Sequence, residues 1–302
     1  MTDLRTAPET VTPWRPFHTQ TARLRRLSPS FLRATFTGTD LDRFADLGYD
    51  LRIKLVFPLA EHGFRTLPVG PDWYRRWRSL PADQRNPFRT YTVRAARCAD
   101  REIDVDLVLH DGGPHGPAAR WAATARPGDR IVVMGPDNAY GGDHGGREFL
   151  PAQANRPMLL AGDETAVPAI CAIAERLPAG CRGEILLEVP LAEDVLDCAA
   201  PSGVTVTWLP RSGAPHGSRL VPAVEAAAER LFPTSRPAPV EVGDGDPEEI
   251  LWDVPTGPSY VWLAGEAGVI RQLRRHLVST RGMDRGSVAF MGYWRQGHAD
   301  PS

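Results

Sequence analysis

Lysine is almost missing from this chain: Lys54 is the only one among 35 basic residues in a length of 302. Positive charge is therefore carried by arginine, whose planar fork suits phosphate and carboxylate groups, although biased codon usage gives the same excess. Cysteine is scarce too, and Cys98, Cys171, Cys181 and Cys198 form no C-x-x-C pair and no zinc-like spacing. That excludes a cysteine-built zinc or iron–sulfur set and predicts reduced, structural thiols. No window approaches about eighteen uninterrupted apolar residues, and the start of the chain has no apolar signal core, so neither a membrane span nor a leader is expected. The protein reads as cytoplasmic. A net charge of −2 gives no general attraction to nucleic acid or anionic membrane. Also missing are G-x-S-x-G, which removes a hydrolase elbow, and G-x-G-x-x-G, which removes the common dinucleotide fingerprint. His110, His115 and His144 lie close in sequence without ligand spacing, so no metal site is expected.

What is present is the composition of a globular protein, 42% hydrophobic and 24% charged, in a chain long enough for two domains of ordinary size. Residues 1–14 are polar, carry two prolines and read as a flexible arm. Residues 15–153 read as a small closed antiparallel β-barrel. Alternating runs on either side of Ser28-Pro29-Ser30 predict a hairpin, residues 51–57 and 102–110 alternate in character, and 130–136 add a further strand. In the proline- and aromatic-rich insertion at 61–88, Trp73 and Trp77 stand four apart, which predicts one short helix with an aromatic face beside Arg75, Arg76 and Arg78. That surface serves either an anionic aromatic ligand or as a barrel cap with solvated arginines. Residues 154–302 change character. Strand, turn and helix alternate from 157 to 180, strands follow at 184–190 and 204–211, a helix at 220–232, and a last strand, helix and strand over 259–295. This is the pattern of a parallel, Rossmann-like α/β domain. The acidic connection at 233–257 reads as irregular, with no role assigned.

Three stretches carry candidate chemistry. Read as a strand, RTYTVR at 89–94 sends Arg89, Tyr91 and Val93 to one face and Thr90, Thr92 and Arg94 to the other. A guanidinium beside a phenol ring suits a ligand with a diphosphate next to a flat ring, as FAD has, with Thr92 at a flavin polar edge. An ordinary half-exposed strand uses the same residues for their β propensity. After it, Gly112, Gly113, Pro114, Gly116 and Pro117 make a tight loop opening a short helix, whose free N–H groups either bind a diphosphate or simply turn the chain into a barrel cap. Two strand-to-helix turns, LLAGDETA at 159–166 and WLAGEAGV at 262–269, are near copies that put a glycine and a carboxylate at the end of a strand. Asp163 and Glu164 suit ribose hydroxyls or a carboxamide with Thr165 as helix cap, unless Asp163 and Thr165 only cap the helix. Arg211, just past a strand, either holds the ribose 2′-phosphate of NADP or is solvated.

Taken together, RTYTVR after a proline-rich insertion, VLHDGGPHGPAARWAATARPGD, LLAGDETAVPAI, WLAGEAGVIRQLRRHL and the terminal GYWRQG resemble the siderophore-interacting proteins. These are FAD-dependent ferric-siderophore reductases related to ferredoxin–NADP reductases, and the match runs in order from about residue 17 to residue 298. The resemblance implies an FAD-binding β-barrel followed by an NAD(P)H-binding α/β domain. It implies that Arg89 holds the FAD diphosphate, Tyr91 stacks on the flavin or ribityl region and Thr92 contacts the isoalloxazine edge, with Thr90 and His110 among the cofactor contacts. Gly116, Pro117, Ala118, Ala119 and Trp121 would bind the diphosphate through the backbone. Gly162, Asp163, Glu164, Thr165, Ala166, Gly265 and Glu266 would border the nicotinamide nucleotide, and Tyr293 and Trp294 would lie by the flavin. The family usually has serine where Ala119 stands, which leaves the backbone amides to serve there. It also often uses lysines in a basic substrate pocket, so here Arg75, Arg76, Arg78 or Arg295 would substitute.

The expected activity is hydride transfer from NADH or NADPH to FAD, then single-electron delivery to a ferric siderophore and release of ferrous iron. Side chains orient and do not react, so no catalytic side chain is assigned. A monomer without nucleic-acid partner or membrane insertion is expected. The alternatives are a general flavin or ferredoxin-type reductase and a non-catalytic iron-chelate binding protein.

Overall fold

The computed structural model describes residues 11–109, 116–150, 156–233, 250–255 and 260–298. Most of the arm expected over 1–14 and His110 lie outside the described residues. Seven strands build the first sheet: β1 (Trp14–Arg26), β2 (Phe31–Thr37), β3 (Arg52–Val56), β4 (Phe88–Thr92), β5 (Ala95–Arg97), β6 (Glu102–Val108) and β7 (Arg130–Pro136). Every pairing is antiparallel, in the order β4-β3-β7-β1-β2-β6-β5. The sheet curls until its ends approach: past β4, Val93 N–H donates to Leu51 O and Arg94 N–H to Asp104 O of β6, both at 2.8 Å. The architecture is thus barrel-like, with an open ladder between β4 and β5 where a closed barrel was expected.

Alternation decides which side is filled. Phe17, Phe36, Ile53, Leu55, Val105, Ile131 and Val133 form one buried cluster inside the curl. The polar positions of β6 are buried as well, because arginines fork onto them: Arg33 onto Asp106 at 2.7 and 2.8 Å, and Arg97 onto Asp104 at 2.8 Å twice. Part of the arginine excess is thereby spent on the protein's own carboxylates, the same planar match that suits a phosphate.

Two helices belong to this part. α1 (Trp73–Ser79) carries the insertion, and α2 (Pro117–Thr124) lies between β6 and β7. Trp77 of α1 is buried, packs on Phe88 and donates its indole N–H to Asn86 O at 2.9 Å. Arg75, Arg76 and Arg78 point outward and are exposed.

The second sheet holds β8 (Met158–Gly162), β9 (Gly183–Val189), β10 (Val204–Pro210), β11 (Trp252–Asp253), β12 (Val261–Glu266) and β13 (Val288–Trp294) in the order β10-β9-β8-β12-β13-β11. All pairings are parallel except that of the edge strand β11. β8 is buried throughout, as a central parallel strand must be when helices cover both faces. α3 (Val167–Ala174) covers one face, while α4 (Leu220–Leu231) and α5 (Ala267–Arg274) cover the other. α5 runs on into a π-helical turn, Arg275–Thr280. Among the described residues no helix is long and apolar enough to cross a membrane.

The two sheets share a joint. Phe31 and Phe149 from the first part sit in the same core as Met158, Ile170 and Trp262. Asp194, fully buried, accepts from Ser28 Oγ (2.7 Å), Ser30 N–H (2.8 Å), Ser30 Oγ (2.8 Å) and Leu191 N–H (3.1 Å). A buried carboxylate is tolerable only with such a full set of donors. Asp50 does the same for Glu148 N–H, Phe149 N–H and the Trp262 indole. The Arg94 guanidinium reaches across the joint to Glu175 at the end of α3.

Candidate functional site

The RTYTVR strand pairs with β3 so that Arg89 lies opposite Leu55 and Tyr91 opposite Ile53, on the face that meets α2. Arg89 Nη1 donates to Phe88 O at 2.7 Å. Its Nη2 reaches toward Gly116, where an added Cβ would lie 3.9 Å from it. Gly116 is the N-cap of α2, Pro117 occupies the first helical turn, and among the described residues no side chain caps the helix. Pro117 has no N–H to leave unsatisfied, and the N–H groups behind it are the uncommitted donors of a helix start. A guanidinium beside such a start makes a cradle for an anion. Tyr91 packs partly into the barrel cluster, and burial pushes its hydroxyl up to about 12. Thr92 is buried. Thr90 is exposed on the opposite face, where its hydroxyl is 3.3 Å from Lys54 Nζ. Trp121 is directed away from the cradle: its ring packs against Phe36 and Phe57 at 5.9 Å each, so it anchors α2 to the barrel.

The second centre lies where strand order reverses. β9 and β10 stand on one side of β8, and β12 and β13 on the other. Such a switch point opens a crevice at the carboxyl ends of the strands, the place where α/β sheets take ligands. Gly162 to Ala166 and Gly265 with Glu266 border it. Their carboxylates face inward. Asp163 Oδ1 accepts from Thr165 N–H (2.9 Å) and Thr165 Oγ1 (2.5 Å); Oδ2 accepts from Glu266 N–H (2.7 Å) and the Trp294 indole N–H (2.8 Å). Thr165 therefore serves Asp163 and is not the side-chain cap of α3. A Cβ at Gly265 would stand 2.7 Å from Asp163 Oδ2, so only glycine fits there. Glu266 caps α5, accepting from Val269 N–H at 2.9 Å.

Arg211 is not solvated. It is buried and forks onto Glu164 at 2.7 and 3.0 Å, with Glu188 at 3.5 Å. Glu188 in turn accepts N–H bonds from Gly217, Arg219 and Leu220 at the start of α4. The guanidinium thus neutralises two buried carboxylates, which a sequence does not reveal because Glu188 lies on a different strand. Asp163, Glu164 and His216 offer ligand atoms within 4.8 Å of one another. Glu164 is engaged by Arg211 and Asp163 by four donors.

His216 escaped sequence reasoning because nothing near it in the chain marks it. Its ring stands edge-on to Trp294 with centroids 4.8 Å apart, and burial, then Arg211, lowers its pKa. Tyr293 is held between Trp252 (stacked, 6.0 Å) and Trp262 (edge-on, 6.2 Å), and burial raises its hydroxyl pKa. Arg295 follows, half-buried.

A cavity of about 300 Å³ opens on the outer face of the first sheet, lined by Trp14, Arg52, Lys54, Trp73, Thr90 and Met134 among others. Its cations are Arg52 and Lys54. None of Arg75, Arg76, Arg78 and Arg295 lines it. Arg52 pairs with Glu148 and lies 4.4 Å over the Trp252 ring, while Lys54 Nζ lies 4.8 Å over Phe88. The signal in the sequence was the single lysine, set in an alternating strand one residue from a core position.

Comparison with known proteins places this geometry in context. Residues 20–140 match the siderophore-interacting FAD-binding domain and residues 155–297 the siderophore-interacting protein domain. An uncharacterised protein of Mycobacterium tuberculosis is 35% identical over 95% of this chain and 93% of its own length. The ferric vibriobactin reductase ViuB of Vibrio cholerae is 30% identical over 91% of this chain and 88% of its own length. Among solved structures, the siderophore-interacting protein SipS from Aeromonas hydrophila superposes with a TM-score of 0.66 at 31% identity, covering 94% of this chain and 93% of SipS. A ferredoxin reductase of carbazole 1,9a-dioxygenase shares the fold at 14% identity and a TM-score of 0.59.

Proposed function

The chain belongs to the siderophore-interacting protein family, an FAD-binding, reductase-related group, and from that premise we propose that it passes electrons from NADH or NADPH through FAD to a ferric siderophore, releasing ferrous iron. The observation that carries the reading is the meeting of Arg89 with the uncapped start of α2 at Gly116. A guanidinium and helix N–H groups converging on one point suit a diphosphate, and the small Gly116 leaves the backbone approachable. The residues present therefore fit FAD. Bound FAD supplies the hydride acceptor and single-electron donor that no side chain here provides.

The chain's own residues bind and orient. Arg89 and the first turn of α2 hold the diphosphate, with the backbone N–H groups doing the work that a serine at Ala119 would share. Tyr91 gives the flavin or ribityl region an aromatic neighbour on the Arg89 face of β4. The crevice between β8 and β12 receives the nicotinamide nucleotide against the backbone of Gly162 to Ala166 and Gly265. With Arg211 consumed by Glu164 and Glu188, preference for the 2′-phosphate needs another residue. The substrate side is read at the cavity of Arg52 and Lys54, where the Lys54 ammonium, beside an Arg52 already paired with Glu148, lies among indole rings and suits an anionic chelate. The arginines of α1 do not line that cavity.

The test is steady-state capture of ferrous iron from hydroxamate, catecholate and citrate complexes by FAD-loaded protein with either nucleotide. Turnover that depends on FAD and separates the three chelates supports the reading. Equal slow rates for all three would sink the siderophore assignment.

A further inference from the structure

We infer that Asp163 is a positioning residue: its carboxylate pins the Trp294 indole at the lip of the β8/β12 crevice and so sets the affinity for the nicotinamide nucleotide. The ligand in this statement rests on the reductase reading; the clamp itself rests on geometry. Asp163 is 2% exposed, leaves the end of β8, and binds donors from the ends of both other strands at the crevice, Glu266 of β12 and Trp294 of β13. Glu266 N–H and the indole N–H each have a single hydrogen to give, and both aim it at Oδ2. Gly265 clears the space through which Oδ2 reaches them.

The strand itself is shaped for this contact. The β12–β13 register jumps between Gly265 and Glu266, pairing Gly265 with Gly292 but Glu266 with Trp294, so Tyr293 is the extra residue of a bulge. A bulge re-aims the side chain that follows it. Tyr293 goes into the aromatic core with Trp262, and Trp294 is turned back onto Asp163. His216 stands edge-on to the indole at 4.8 Å. Trp294 is thus held by a carboxylate at its N–H and an imidazole against its ring, both supplied by the turns that edge the crevice.

The charged and titratable groups around Asp163 are Glu164 in the same turn, Arg211 and Glu188 behind it, His216 from the α4 side and Glu266 from β12. Burial and the neighbouring Glu164 push Asp163 up to about 7. Protonation removes the charge that strengthens the contact with the indole N–H, and that contact weakens. The diphosphate cradle of Arg89 and α2 belongs to the other sheet and does not touch this clamp.

The experiment compares Asp163→Asn, Trp294→Phe and the double variant in FAD-loaded protein. KM for NADPH and NADH, kcat and the FAD dissociation constant are measured, together with the Trp294 indole ¹H–¹⁵N resonance across neutral pH. Trp294→Phe should raise KM about tenfold, the loss of one charge-assisted hydrogen bond, and Asp163→Asn, which disturbs four donors, by at least as much. The double variant should be no worse than Asp163→Asn alone, because the indole contact is already lost in it. Unchanged KM, or additive single effects, would overturn the inference. If Asp163→Asn does not fold, Trp294→Phe alone decides, with unchanged KM again overturning it. A wild-type flavin that neither nucleotide reduces overturns the reductase reading instead. The indole resonance then judges the clamp: a shift near pH 7 that is lost in Asp163→Asn supports it, and a shift that persists overturns it.

Discussion

Arg89→Ala isolates the contact on which cofactor binding turns. The side chain is half-buried, bonds locally to Phe88 O at 2.7 Å, and extends its other guanidinium nitrogen to the start of α2. A hydrogen bond to a charged group contributes about 1.5–3 kcal/mol. Partial exposure puts this one at the lower end, about 1.5–2 kcal/mol, because water screens the charge. At about 1.4 kcal/mol per factor of ten, the FAD dissociation constant should rise about 10- to 30-fold. Titration of apoprotein with FAD, followed by quenching of flavin fluorescence, reads this directly. Arg89→Lys should recover part of the loss, since it keeps the charge and forfeits the fork. The fold should be nearly indifferent, with apoprotein stability within about 0.5 kcal/mol of wild type, as for a substitution away from the core. FAD affinity equal to wild type in Arg89→Ala would refute the placement of the diphosphate.

Four other substitutions probe the rest of the account. Lys54→Met should raise KM for a ferric chelate several-fold while leaving FAD affinity alone, and Arg75→Ala should change neither; chelate-dependent ferrous capture distinguishes them, and the reverse ranking would move the substrate site to α1. Ala119→Ser restores a hydroxyl beside the helix start and should tighten FAD binding by up to about 1 kcal/mol, measured by the same fluorescence titration. Asp194→Ala strips four donors at the joint of their acceptor and should cost about 3 kcal/mol in urea unfolding, the scale of orphaned buried polar groups; a loss under about 0.5 kcal/mol would show that the joint does not depend on it.

The strands and helices were legible because their periodicity is local. β3 and β6 alternate and α4 repeats at helical spacing, so the order of elements in both halves could be read directly. The Arg89 and Gly116 pair was legible for a different reason: each residue type belongs to a known kind of anion site, and the fold only had to bring them together. What failed was long-range pairing. Arg211 and Glu188 are 23 residues apart, and nothing in either segment says that they meet, so a structural ion pair looked like a ligand contact. Asp163 looked like a ribose partner because its donors, Glu266 and Trp294, arrive from strands more than a hundred residues away. The arginines of α1 attracted attention by clustering, yet Trp77 buries the helix by its other face. The short edge strand β11 was hidden in a connection rich in acidic residues, since two residues carry no period to detect. Lys54 was visible as a singular residue but its partners in the cavity come from β1, β4, β7 and α1.

The central claim is that this chain moves electrons from a nicotinamide to ferric iron through FAD. Anaerobic stopped-flow on FAD-loaded protein tests it in two mixes: first with NADPH or NADH, then with a ferric catecholate chelate in the presence of a ferrous chelator. The account predicts bleaching of the flavin band in the first mix, and in the second its return together with the colour of captured ferrous iron. A protein that takes up no FAD, or whose bleached flavin stays bleached when the ferric chelate is added, would contradict it.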